Sequence, residues 1–228
     1  MDKIKLKVQG TPLIKFHSAK IIESFQKGKV YANRLGYYRK REEETGDSEV
    51  GDKYEAMLHV NEAYIHFPDS GETVPLTDEL ISTTHSEDYI FCLFGIYPNL
   101  NNFSFTEQQK EKLLSFGDTA LIITDSEEFI KRVKEASEKA GYKVKFGAVK
   151  YYDATYDNGN MIVSLMEDMA NVAFWKRDSY KYQQEGRFVF YSGDMTLDHL
   201  ELDIGDISDI SEIVPAKMAL SAMVEKQK

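Results

Sequence analysis

The chain reads as an α+β protein: a single domain over residues 1–228 with a mainly antiparallel, twisted sheet and flanking helices. Three observations predict this class. Strand-like runs dominate, and helical stripes interrupt them irregularly rather than in strict alternation, which argues against a doubly wound parallel sheet. The 228 residues are 42% apolar, with 14 Tyr and 13 Phe, enough for one sizeable core. No internal repeat or long linker divides the chain.

Residues 12–17 read as a strand. Ser18 suits an N-cap, with Ile21, Ile22 and Phe25 as an apolar stripe ending near Gly28. Residues 29–35 form a second strand, 36–45 a short helix and 46–53 an exposed loop. Residues 59–67 and 72–76 make a hairpin around Pro68-Asp-Ser-Gly71. Residues 89–97 are apolar on both faces and suit a central strand. Thr106-Glu-Gln-Gln opens a helix, 120–124 is a buried strand, and Asp125 or Ser126 caps a helix reaching about Ala140. A strand over 142–151, a polar loop at 157–160 and a stretch of mixed helical spacing over 161–180 follow. The strand 181–191, two short strands near 200–204 and 210–214, and a tail helix after Pro215 complete the chain.

Charge narrows the function. A net charge of -10 disfavours nucleic acid as a partner, although Arg34, Arg39, Lys40 and Arg41 cluster locally. The lone cysteine, Cys92, lies in an apolar run and reads as a buried, inert thiol, consistent with a reducing cytoplasm. The longest apolar run is too short to cross a bilayer, and the first residues lack the apolar stretch of a secretion signal. No phosphate-binding glycine loop, nucleophile elbow or metal-ligand pattern occurs, and the five histidines are scattered, so no metal site is expected.

The most informative stretch is Lys181-Tyr-Gln-Gln-Glu-Gly-Arg-Phe-Val-Phe-Tyr191. As a strand it puts Tyr182, Gly186, Phe188 and Phe190 on one face and Gln183, Glu185 and Arg187 on the other. The bland reading of that polar face is a solvated edge, with Arg187 in a weak surface pair. The sharper reading is glycosyl transfer. A carboxylate stabilises an oxocarbenium-like state, as when nicotinamide leaves a ribose, and a Gln two residues earlier orients the acceptor. His17 and Arg34 are candidates to hold ribose or phosphates, and Tyr31, Tyr37 and Tyr38 to stack on the nicotinamide ring.

A set of short motifs runs along most of the chain: Val30-Tyr-Ala-Asn-Arg-Leu-Gly-Tyr-Tyr-Arg39, Gly51-Asp-Lys-Tyr-Glu55, Ile90-Phe-Cys-Leu93, Val149-Lys-Tyr151, Lys176-Arg-Asp-Ser-Tyr180 and Tyr182-Gln-Gln-Glu-Gly-Arg187. Their order resembles a widespread bacterial protein family and is similar to the ADP-ribosyltransferase motif order. The resemblance implies an ADP-ribosyltransferase-like fold and NAD as substrate. It implies Glu185 as catalytic glutamate, Gln183 as its partner, and His17 or Arg34 for the first motif. Tyr31, Tyr37 and Arg187 would complete the NAD site. Ser82-Thr83-Thr84 is the nearest match to the middle Ser-Thr-Ser motif, and Leu93-Phe94-Gly95 stands where serines would be expected.

The expected function is therefore transfer of ADP-ribose from NAD to a macromolecular acceptor, protein or nucleic acid, as a toxin or phage-defence effector. The alternative is a non-catalytic acidic interaction or inhibitor protein with a protein partner. A nuclease-like reading would rest on Asp47, Asp52 and Glu55, which as a group read more simply as a solvated turn.

Overall fold

A computed structural model describes residues 5–8, 10–47, 49–60, 63–76, 80–83, 87–96, 103–155, 159–221 and 223–226. In chain order the elements are β1 (Lys5–Val8), β2 (Leu13–His17), α1 (Ala19–Gln26), β3 (Lys29–Arg34), α2 (Leu35–Thr45), β4 (Met57–Val60), β5 (Ala63–Phe67), β6 (Glu72–Leu76), β7 (Leu80–Thr83) and β8 (Tyr89–Gly95). There follow α3 (Glu107–Leu114), β9 (Thr119–Ile123), α4 (Ser126–Lys139), β10 (Lys143–Ala148), β11 (Lys150–Tyr152), α5 (Gly159–Glu167), β12 (Trp175–Arg177), β13 (Glu185–Tyr191), β14 (His199–Asp203), β15 (Ser211–Pro215), α6 (Ala216–Ala219) and β16 (Met223–Lys226). Two 3-10 turns, Met169–Phe174 and Asp178–Gln183, flank β12.

The fold is α+β with a mainly antiparallel open sheet, as expected. Contacts divide the chain into two compact units: residues 1–34, 89–148 and 182–228, and residues 35–88 with 149–181.

The first unit holds an eight-stranded sheet, ordered β10-β13-β8-β2-β9-β15, with β3 and β14 off that path. Strand β8 is its hub, buried along nearly its whole length as its apolar run predicts. One edge of β8 pairs with β13. Its other edge pairs with β2 at Phe94 and Gly95 and with β3 at Tyr89 and Ile90, so the sheet forks there. One face packs Phe91, Phe129, Phe188 and Phe190 with α1 and α4; the other packs Phe94, Phe105, Leu113 and Val214 with α3 and α6.

Local chemistry sets the helix boundaries. Thr106 and Gln109 form a reciprocal capping box at α3, and the Asp125 carboxylate accepts the Glu128 N–H at 3.0 Å to start α4. Helix α1 ends at Gly28, whose φ of +92° and close approach to the Gly205 carbonyl leave no room for a Cβ.

The second unit contains α2, α5 and three two-stranded pairings: β4 with β7, β5 with β6, and β11 with β12 in parallel. The expected strand over 59–67 is two strands, and the one over 142–151 breaks at Val149. Among the described residues, no helix is long and apolar enough to cross a membrane.

Candidate functional site

The polar triplet expected along 181–191 is only partly a triplet. Gln183 closes a 3-10 turn, Gln184 takes a left-handed φ of +41°, and β13 begins at Glu185. The alternation that would place Gln183 beside Glu185 therefore does not apply. A tether from α3 accompanies the break: the Gln109 amide donates to Gln184 Oε1 at 2.7 Å and to the Tyr182 carbonyl at 3.3 Å. No local pattern around 181–191 signals this contact with α3.

Glu185 and Arg187 do share a face, but that face is not solvated. They are 7% and 1% exposed, and Arg187 donates to Glu185 Oε2 from Nη2 at 2.7 Å and from Nε at 3.1 Å. The expected surface pair is a buried, two-pronged one. Cys92 sits opposite Arg187 in the β8 ladder. Its thiol is pushed up to about 12, first by burial and then by the Glu185 carboxylate. Such a thiol is inert at neutral pH, as its apolar run suggested. In the fork between β2 and β3, Lys15 Nζ donates to the Cys92 carbonyl at 2.8 Å. Burial lowers the Lys15 pKa, while Cys92 and Glu185 oppose that shift.

Strand register separates the other predicted NAD contacts. Ile14 pairs with Phe94, and Phe94 with Glu185, so these three lie on one face. His17, three residues beyond Ile14, points to the opposite face. There it is exposed, its Nδ1 accepts the Ser18 N–H at 2.8 Å, and burial and Lys15 lower its pKa. Arg34 pairs with Tyr89 and also lies opposite Glu185. It donates to the Leu197 and Met195 carbonyls, each at 2.7 Å, and so clamps the loop before β14. Tyr31 shares the Glu185 face but stacks on His199, with ring centroids 4.4 Å apart. Tyr37 belongs to α2 in the second unit, where its hydroxyl accepts from Arg41 at 3.0 Å. The predicted set is thus split between two sheet faces and two units. Glu185, neutralised by Arg187, is a poor stabiliser of a developing cation. Within the first unit, only Tyr31 of the predicted NAD contacts outside β13 shares the Glu185 face.

The second unit holds a cluster that the sequence reading took for a solvated turn. Asp52 and Glu55 are each 1% exposed, and Lys176 is 5% exposed. Lys176 Nζ lies 3.7 Å from Glu55 Oε2 and 4.4 Å from the Tyr180 ring centroid, while Arg177 stacks on Tyr54 at 3.6 Å and reaches to 4.0 Å from Asp52. The Tyr180 hydroxyl is 3.3 Å from both Glu42 Oε2 and the Gly51 carbonyl, and its pKa is raised chiefly by burial. The missed signal is the pairing of Gly51-Asp-Lys-Tyr-Glu55 with Lys176-Arg-Asp-Ser-Tyr180: the first carries the buried acids and the second their cations.

Burial first, and then Glu55, raise the Asp52 carboxyl to about 6, against the pull of Lys176. A carboxyl whose folded pKa exceeds its unfolded value contributes stability below about pH 4 that is lost as pH rises through about 6. Urea unfolding followed by fluorescence of the single, buried Trp175 should show this loss, on the order of 2–3 kcal/mol. Asp52→Asn should flatten that part of the profile; an unchanged slope would assign the titration elsewhere.

Also in the second unit, a cavity of about 370 Å³ is lined by Lys150, Asn160, Val163, Ser164, Glu167 and Trp175, none of them a predicted site residue. Among the described residues, no cluster of three or more His, Cys, Asp or Glu could hold a metal ion. No protein-family model, curated protein or solved structure matches the chain.

Proposed function

We propose that the chain is an acidic interaction protein that engages a cationic protein partner. The observation that carries this is charge segregation. Lys53 and Lys110 bracket a stretch with no lysine or arginine, which includes Glu62, Asp69, Glu72, Asp78 and Glu79. A stretch of such net negative charge attracts basic surfaces and repels nucleic acid. Meanwhile groups read from sequence as catalytic or NAD-binding are engaged internally: Glu185 by Arg187, Arg34 by two carbonyls, and Tyr31 by His199.

ADP-ribosyl transfer from NAD is the second reading. One observation favours it: Gln184, a non-glycine residue in left-handed backbone, lies between buried Gln183 and buried Glu185, and such strain gathers at functional sites. Two measurements on the full chain separate the readings: nicotinamide release from NAD, and anisotropy of a labelled lysine-rich peptide over a salt series. The interaction reading expects no nicotinamide release, and peptide binding that weakens as salt rises. Nicotinamide release together with ADP-ribose bound to an added protein acceptor, both abolished by Glu185→Gln, would favour the transferase instead.

A further inference from the structure

We propose that the outer edge of β5, Ala63–Phe67, is a docking edge that takes up an extended cationic segment of a partner protein as an added strand. The proposal rests on the interaction reading and names its site.

Among the described residues, β5 pairs with β6 alone. An isolated two-stranded hairpin is marginal in water and gains from a third strand. The two strands differ in how their free edges are protected. Strand β6 reads Glu-Thr-Val-Pro-Leu: Pro75 lacks an N–H, and Glu72 adds charge, both of which discourage strand addition. Strand β5 reads Ala-Tyr-Ile-His-Phe, with no proline, lysine or carboxylate, and is rich in residues that favour strands.

Its surroundings are apolar and open. Tyr64 is 62% exposed, Phe67 45% and Val74 39%. Tyr64 and Phe67, on β5 itself, offer contact area to the residues of an added strand, whose main chain would hydrogen-bond along the edge.

Charge selects the occupant. Glu62, Asp69, Glu72, Asp78 and Glu79 surround the hairpin in sequence, with no lysine or arginine among them. A second copy would carry the same net charge of -10, and like charges repel. A strand with lysine or arginine at alternate positions is complementary.

The test uses the full chain and two labelled peptides of equal charge. One alternates lysine and valine; the other alternates lysine and proline and cannot add as a strand. The lysine–valine peptide should bind at least about tenfold more tightly. The double variant Tyr64→Ser/Phe67→Ser changes no charge, and should weaken that binding about fivefold or more while leaving the circular dichroism unchanged. Equal binding of the two peptides, or no effect of the double variant, overturns the docking edge and leaves the interaction reading standing. Sedimentation as a dimer that the double variant dissociates also overturns it, in favour of a second copy. No binding of either peptide up to about 1 mM removes both the edge and the reading beneath it.

Discussion

Replacing Arg187 with methionine is expected to destabilise the first unit by about 3–5 kcal/mol, because Glu185 would remain buried without its counter-charge. Arg187 is 1% exposed and makes both short contacts to Glu185 Oε2. Water cannot easily replace them, and β13 cannot move without disturbing β8 and β10, its neighbours on either side. The double variant Glu185→Gln/Arg187→Met should recover most of the loss, since it removes both charges and not one. Urea midpoints, with hydrogen exchange of the β8 and β13 amides, check both results. A single variant that costs less than about 1 kcal/mol would mean that the pair contributes no more than a surface one.

Lys176→Met is the corresponding prediction for the second unit. Lys176 is the buried cation nearest Glu55, and it opposes the upward shift of Asp52. Without it, two buried carboxyls face each other with less compensation, and a loss of about 3–5 kcal/mol at pH 7 is expected. The sign of the pH dependence follows. Asp52 can escape the penalty by taking up a proton, so the variant should regain stability towards pH 4 and fall further behind the parent as pH rises through about 6. Trp175 fluorescence during urea unfolding at pH 4 and pH 7 reads the difference. An equal loss at both pH values would show that the lysine acts through its packing on Tyr180 and not through its charge.

Most secondary structure was legible because its signals are local. The capping box at Thr106 and the cap of α4, which falls on Asp125 rather than Ser126, act over a few residues. The Pro68–Gly71 turn and the strand after it form as read for the same reason, whereas the strand before it is shorter than read. Strand 181–191 was misread at its start, because the left-handed turn at Gln184 coincides with bonds from Gln109, far away in sequence. The candidate site suffered most. Alternation correctly placed Glu185 and Arg187 on one face, but a polar face looks the same whether solvent or protein covers it. Likewise, Asp52 and Glu55 sit in a segment whose glycine and acids suit an exposed turn, and their partners Lys176 and Arg177 lie more than a hundred residues later.

The Ser18 side chain makes no cap bond at α1, but the α+β class, the caps of α3 and α4, the turn at Pro68–Gly71 and the stretch free of lysine and arginine are written in the chain. All of these follow from neighbours along the chain or from composition. Which charges are buried and paired, and the placing of His17 and Arg34 across the sheet from Glu185, emerge on folding. Burial and register depend on residues brought together from distant positions. A charge changes from solvated to costly only when such neighbours displace its water.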